Sequence, residues 1–348
     1  MDAFAAVSLR DHPLLKACRR EAVPYTPIWL MRQAGRYMPE YRALRERVGF
    51  LSLCTNPELA AEVTVTAVRR LRVDAAIIFA DILLPLLPMG VGLRYEDGPA
   101  IERPIRSAAD LERLAPVDPA ASLHFVADAI RIVRSEVPDR PVIGFAGAPF
   151  TLASYLIEGG ASRDYRHTKS LMYREPAAWD RLMTMLARIT ADYLAMQAAA
   201  GAEVVQLFDS WVGALSPADY RRFVLPHSRA SLASCAGHVP AIHFGTGTAG
   251  LLEAMRDAGG EVIGLDWRVD LSEAWSRLGP GVAVQGNLDP IVVMLAGRDE
   301  IRRQVRVILD RAGGRPGHIF NLGHGILPQT PVDNVIALVD MVHEMSRR

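Results

Sequence analysis

Two arginines four residues apart, Arg32 and Arg36, follow directly on the apolar run Ile28-Trp29-Leu30-Met31 in the stretch PIWLMRQAGRYMPEYR. A buried run that breaks into two guanidiniums calls for an anion, because charge is costly to bury without a partner. Gly35 between them permits a tight turn, so that both planar forks can converge on carboxylate or phosphate oxygens. The usual phosphate cradles are missing: there is neither a G-x-x-x-x-G-K-[ST] loop nor a dinucleotide-binding glycine fingerprint. Carboxylates are the better fit.

The same juxtaposition recurs along the chain. Eight short apolar runs each end in a polar or glycine-rich turn: IWLM, AAIIF, PVIGF, EVVQLF, AIHF, EVIGL, VAVQG and HIFNL. Amphipathic stretches at helical spacing lie between them, over 57–72, 123–137, 171–200, 217–236, 249–258, 272–278, 298–312 and 332–345. Strand then helix, eight times over, predicts an α/β fold: one (β/α)8 TIM barrel formed by a single domain over 1–348. A short hairpin insertion is expected after the second strand, in LRYEDGPAIERPI, where Asp97-Gly98 is a turn signal between alternating residues.

In such a barrel the residues just after each strand face one mouth. Those residues are Arg32, Gln33 and Arg36; Asp81; Gly147 to Pro149; Asp209, Ser210 and Trp211; Gly245 and Thr246; Asp266; Gln285 and Asn287; and Asn321 and His324. Taken singly, Asp209, Ser210 or Asp266 could equally cap the helix that follows. His243 and His318 lie within apolar runs and read as core residues, whereas His324, between two glycines, reads as a site residue. From pattern alone, Tyr155 in TLASYLIEGG is helix core, although its phenol could point into the mouth.

Composition excludes several classes. Lys plus Arg and Asp plus Glu number 39 each, so no overall basic field exists to hold nucleic acid or an anionic membrane. Ile82 to Leu93 is apolar but short and broken by Pro85 and Pro88, so it is not expected to span a bilayer. The N-terminal stretch carries Asp2 and Asp11 and lacks the apolar core of a secretory signal. Cys18, Cys54 and Cys235 are odd in number and widely separated, which argues against a disulfide framework or a zinc site and favours a cytoplasmic location.

Six segments, PIWLMRQAGRYMPEYR, FADILLPLLPMG, GFAGAPFTLASYLIEGG, QLFDSWVGALSP, QGNLDP and FNLGHGILP, resemble in order and spacing the motifs of the uroporphyrinogen decarboxylase family of haem and chlorophyll biosynthesis. The resemblance runs from about Pro13 to Met345. It implies a cofactor-free, metal-free carboxy-lyase that converts the four acetate arms of uroporphyrinogen III into the methyl groups of coproporphyrinogen III. It also implies a homodimer whose clefts face one another. The family's substrate-binding positions fall on Arg32, Gln33, Arg36, Asp81, Tyr155, Phe208, Ser210 and His324, with Asp81, Arg32, Tyr155 and His324 as the catalytic group, and no departure occurs among them. Two rivals share parts of the pattern. A zinc-dependent methyltransferase of the same barrel needs His and Cys ligands that are not grouped here. A non-catalytic tetrapyrrole carrier would not need Asp81, Tyr155 and His324 together.

Overall fold

The structure is a computed structural model that describes residues 9–95 and 98–348. Its strands are β1 (Ala76–Ile77), β2 (Leu93–Tyr95), β3 (Pro99–Ile101), β4 (Val142–Gly147), β5 (Val204–Asp209), β6 (Ala241–Gly245), β7 (Val262–Gly264), β8 (Ala283–Gln285) and β9 (His318–Ile319). Seven of them form one sheet in the order β1-β4-β5-β6-β7-β8-β9, parallel throughout. Every residue of β4 and β6 is buried, as is usual for parallel strands covered on both faces.

The sheet curls. Trp29 Nε1 donates to Gln285 Oε1 at 2.9 Å, and Gln285 Nε2 donates to Gln206 Oε1 at 3.1 Å. This buried relay joins side chains from the first apolar run, β8 and β5, which a flat sheet would hold far apart. Buried amides in such a place are tolerable because each finds a partner.

The first run does not form the expected strand. Only Ile28 is bridged, in parallel, to Phe320. The reason lies in its main-chain donors: Ile28 N–H goes to Asp74 Oδ2, Leu30 N–H to Gln33 Oε1 and Met31 N–H to Asn321 Oδ1. Side chains take the N–H groups of the run, while its carbonyls still accept main-chain N–H groups, Asp74 to Ile28 O and Ile326 to Met31 O, so the backbone is satisfied without a regular ladder.

Two long helical expectations are each broken in two. The stretch 171–200 divides into Arg166–Arg174 and Pro176–Ala199, and 217–236 into Pro217–Phe223 and Leu225–Ala233. Pro176 and Pro226 lack the N–H that would continue the preceding helix, but each suits the first turn of the next. The other expected stretches form helices close to their expected bounds, among them Pro57–Leu71, His124–Glu136, Arg298–Ala312 and Val332–Met345, and short helices such as Pro39–Arg45 and Pro149–Glu158 come in addition.

β2 and β3 pair antiparallel, with Leu93 opposite Ile101 and Tyr95 opposite Pro99; Asp97 of the expected turn lies outside the described residues. Ile101 N–H donates to Gly159 O and Ile105 N–H to Leu156 O, which ties this segment to the helix Pro149–Glu158. A second apolar cluster, including Leu86, Met89, Phe150, Leu156 and Trp179, fills the space between them. Tyr95, Tyr155 and Trp211 pack on its edge.

Candidate functional site

Arg32 sits at φ 64°, in the left-handed region that is strained for a side chain with a Cβ. Gly35 does not take that conformation; its role is close approach, since a Cβ there would lie 3.0 Å from Arg32 O. The Arg32 side chain lies on Gly325, where a Cβ would meet its Cδ at 2.5 Å. Glycine is therefore required beside His324 for Arg32 to reach its place. Arg32 and Arg36 are both exposed, and among the described residues neither guanidinium has a carboxylate partner.

Gln33 differs from both. It is buried, accepts Leu30 N–H at Oε1 and donates from Nε2 to Ala75 O at 2.9 Å. Its amide holds the arginine turn from behind, and Tyr37 OH adds a 2.6 Å bond to Gln33 O.

Asp81 follows β1 and is partly accessible. One oxygen, Oδ1, accepts Tyr95 OH at 2.7 Å and Leu83 N–H at 2.8 Å; among the described residues Oδ2 has no hydrogen-bond donor. Burial raises the Asp81 pKa, against the opposing pull of the Tyr95 hydroxyl, the Leu83 N–H and the Arg32 charge. Half of a carboxylate is thus held firmly and half is left to accept from elsewhere.

The Arg32 charge reaches three site groups. Burial raises the Tyr155 phenol, helped by Asp81 and opposed by Arg32. Burial lowers His324, and Arg32 lowers it further, so the imidazole stays neutral at neutral pH. Arg32, Asp81, Tyr155 and His324, distant in sequence, therefore share one electrostatic environment.

Aromatic rings shape the remainder. Tyr155 stacks on Trp211 with ring centroids 3.9 Å apart and an interplanar angle of 29°. Phe208, at the end of β5, stands edge-on between Phe145 at 5.5 Å and Phe244 at 6.0 Å and is half-buried. These three phenylalanines come from adjacent strands and make an apolar floor suited to a flat ring. The next residue but one, Ser210, is also half-buried; its carbonyl takes the Thr246 hydroxyl.

Several expected mouth residues turn out to brace the curled sheet. Asp209 is fully buried and bonded to Thr151 Oγ1 at 3.3 Å, with His243 Nε2 3.7 Å from its other oxygen. Asn321 accepts the Met31 and Leu322 N–H groups, and Gln285 belongs to the interior relay. In the other direction, Tyr95 escaped the sequence reading. Its available signal was the alternation in Leu93-Arg94-Tyr95, which puts Leu93 and Tyr95 on one face.

Among the described residues no three His, Cys, Asp or Glu side chains are grouped to hold a metal ion, and no helix is long and apolar enough to cross a membrane. The three cysteines are buried, and burial pushes the Cys18 thiol up to about 12, which opposes the thiolate a zinc site would need.

The fold and sequence both have close counterparts. The chain superposes on a methyltransferase from Methanosarcina mazei with a TM-score of 0.81, covering 96% of this chain and 98% of the other at 22% identity, a likeness of fold. It is 56% identical over 337 residues to the uroporphyrinogen decarboxylase of Sorangium cellulosum, covering 96% of each chain. It is 53% identical over 341 residues to that of Streptomyces coelicolor, covering 97% of this chain and 96% of the other. The family model described as uroporphyrinogen decarboxylase (URO-D) matches residues 9–345, and the chain belongs to that family.

Proposed function

We propose that this protein decarboxylates the four acetate side chains of uroporphyrinogen III to give coproporphyrinogen III in tetrapyrrole biosynthesis, without a metal or an organic cofactor. The observation that carries this reading is the half-claimed Asp81 carboxylate in the field of Arg32, which among the described residues has no carboxylate partner, at a mouth floored by Phe145, Phe208 and Phe244. An octacarboxylate built on a ring of four pyrroles needs cations at its rim, an apolar seat for its rings and an acceptor for its N–H groups.

Arg32 and Arg36 bind peripheral carboxylates, each charge-assisted bond being worth roughly 1.5 to 3 kcal/mol net. Gln33 keeps the arginine turn in register from behind. Asp81 Oδ2 accepts the pyrrole N–H donors, which a domed porphyrinogen can point at one centre. Protonation of a pyrrole at a ring carbon creates the electron sink. The bond from the acetate methylene to its carboxylate then breaks, CO2 leaves, and the electron pair neutralises the ring cation. A proton delivered to the methylene carbon yields the methyl group, and loss of the ring proton restores the pyrrole. One proton is consumed for each CO2 released.

The fixed negative charge of Asp81 stabilises the ring cation as it forms, and its cost in burial is a cost of preorganisation. Arg32, Tyr155 and His324 supply or orient the proton; burial holds the Tyr155 phenol to its proton and keeps His324 neutral, so each of these two serves as a hydrogen-bond donor or acceptor that orients a carboxylate or a relayed proton. Ser210 hydrogen-bonds a carboxylate, and Phe208 packs against a pyrrole plane. In this reading the chain is a single (β/α)8 domain with the Ile28 run as its eighth stave and β2–β3 as an inserted hairpin. It works as a cytoplasmic homodimer.

The test is an anaerobic, dark incubation of metal-free protein with uroporphyrinogen III, followed by oxidation and chromatography of the porphyrins. Hepta- through tetracarboxylate products without added cofactor support the reading. Unchanged octacarboxylate from folded protein overturns it.

A further inference from the structure

The turn after β7, Leu265-Asp266-Trp267-Arg268, opens on the same mouth as Arg32 and His324, and it is unusually well fastened. Asp266 Oδ1 accepts the Arg268 N–H at 2.8 Å, and Oδ2 accepts Arg268 Nη1 at 3.0 Å together with the Gly247 N–H. Asn287 Nδ2 donates to both Asp266 O and Val269 O, at 2.7 and 2.8 Å, and so clamps the turn at its two ends. Gly323 lies so close beneath that a Cβ would fall 2.2 Å from Trp267 N.

What this turn presents is one arginine. The Arg268 guanidinium carbon sits 3.7 Å above the Trp267 ring, and that indole stands edge-on to His324 with centroids 6.1 Å apart. The Arg268 side chain is 54% exposed, and among the described residues its Nε and Nη2 donors have no partner. Stacking on an indole fixes the plane of a guanidinium and leaves its edge available, which lowers the entropy lost on binding a carboxylate. Asp266 shares its charge among three donors, so it does not exhaust the arginine. His324 lies within the fields of both Arg32 and Arg268, with Asp266 as the opposing charge.

We propose that Arg268 is a further substrate-binding residue, whose free Nε and Nη2 edge takes a peripheral carboxylate of the substrate on the His324 side of the mouth. This rests on the decarboxylase reading above and deepens it. Arg32 and Arg36 come from the first loop and cannot alone answer eight carboxylates; Arg268 adds a cation from the loop after β7.

The experiment compares wild type, Arg268→Gln and Arg268→Lys in anaerobic kinetics with uroporphyrinogen III, alongside thermal melting. Arg268→Gln is expected to raise KM about tenfold, the loss of one charge-assisted bond, while kcat falls by less than KM rises. Arg268→Lys should recover part of the loss, the salt dependence of KM should weaken in the Gln variant, and melting should stay near wild type. An unchanged KM in the Gln variant overturns the proposal. So does a joint fall in kcat and melting midpoint in both variants, which would make Arg268 a brace for Trp267. If wild type itself returns only octacarboxylate, the proposed function falls and this role with it; if wild type turns over and the variants match it, the role alone falls.

Discussion

Two aspartates flank β1, and they live differently. Asp74, just before the strand, accepts Ile28 N–H at 2.8 Å and Tyr25 OH at 3.1 Å and lies 2.8 Å from His343 Nε2; both its oxygens are engaged. Asp81, just after the strand, engages one oxygen, and among the described residues the other has no donor. The first end of the strand is finished by the fold, whereas in the proposed function the second accepts from the substrate. The comparison teaches that residue type says little about role; what separates the two is whether the described chain itself provides a partner for each carboxylate oxygen.

Substitution should separate the two aspartates sharply. Asp81→Asn is expected to cut kcat on the order of 100-fold or more through loss of cation stabilisation. Its melting midpoint at pH 7 should be unchanged or higher. The sign follows from linkage: burial raises the Asp81 pKa above its unfolded value, so ionisation at neutral pH opposes folding, and removing the charge relieves that cost. Wild-type-like turnover in Asp81→Asn would remove Asp81 from the mechanism.

Asp74→Ala should do the reverse. It strands the Ile28 N–H and costs about 1 to 3 kcal/mol of stability, readable by urea unfolding, while the folded fraction keeps its kcat. A fall in kcat at full folding would erase the contrast between the two ends. Arg36→Gln is expected to raise KM about tenfold through one lost carboxylate contact, with little change in melting. A KM equal to wild type would leave Arg36 a solvated surface charge.

The smallest effect sharpens the comparison most. Tyr95→Phe removes a hydrogen bond that lowers the Asp81 pKa, so that pKa should rise further. Activity needs the ionised carboxylate and is lost as pH falls through its pKa. The acid limb of kcat/KM should therefore move to higher pH, with a loss of only a few-fold at neutral pH, in keeping with about 1 kcal/mol for one hydrogen bond. A pH profile that does not move would show that Tyr95 leaves Asp81 unaffected.

The sequence made much of this legible, for reasons that can be traced. Runs such as PVIGF and EVVQLF are short, mostly apolar and bounded by turn residues, a combination that suits a strand covered on two sides. Arg32 and Arg36 were conspicuous because charge is expensive beside a buried run. What stayed hidden was decided by contacts between distant segments. IWLM has a strand's composition, yet Asp74, Gln33 and Asn321 take its N–H groups. Asp209 and Ser210 are neighbours at one strand end, yet the first is fully buried against Thr151 and the second half-buried. Tyr95 matters because β3 is tied to the helix that carries Tyr155, and no local pattern states that tie.

The seating of Arg32 on Gly325 has a consequence for how the protein comes into being. These residues lie near opposite ends of the chain, and the arginine's place is completed only when the last strand's loop is present. A ribosome-bound chain that has already emitted the arginine turn still lacks the surface on which its side chain rests. Catalytic competence should therefore appear late and all at once during synthesis. A protein split between β8 and β9 should regain activity only when the two fragments are brought together.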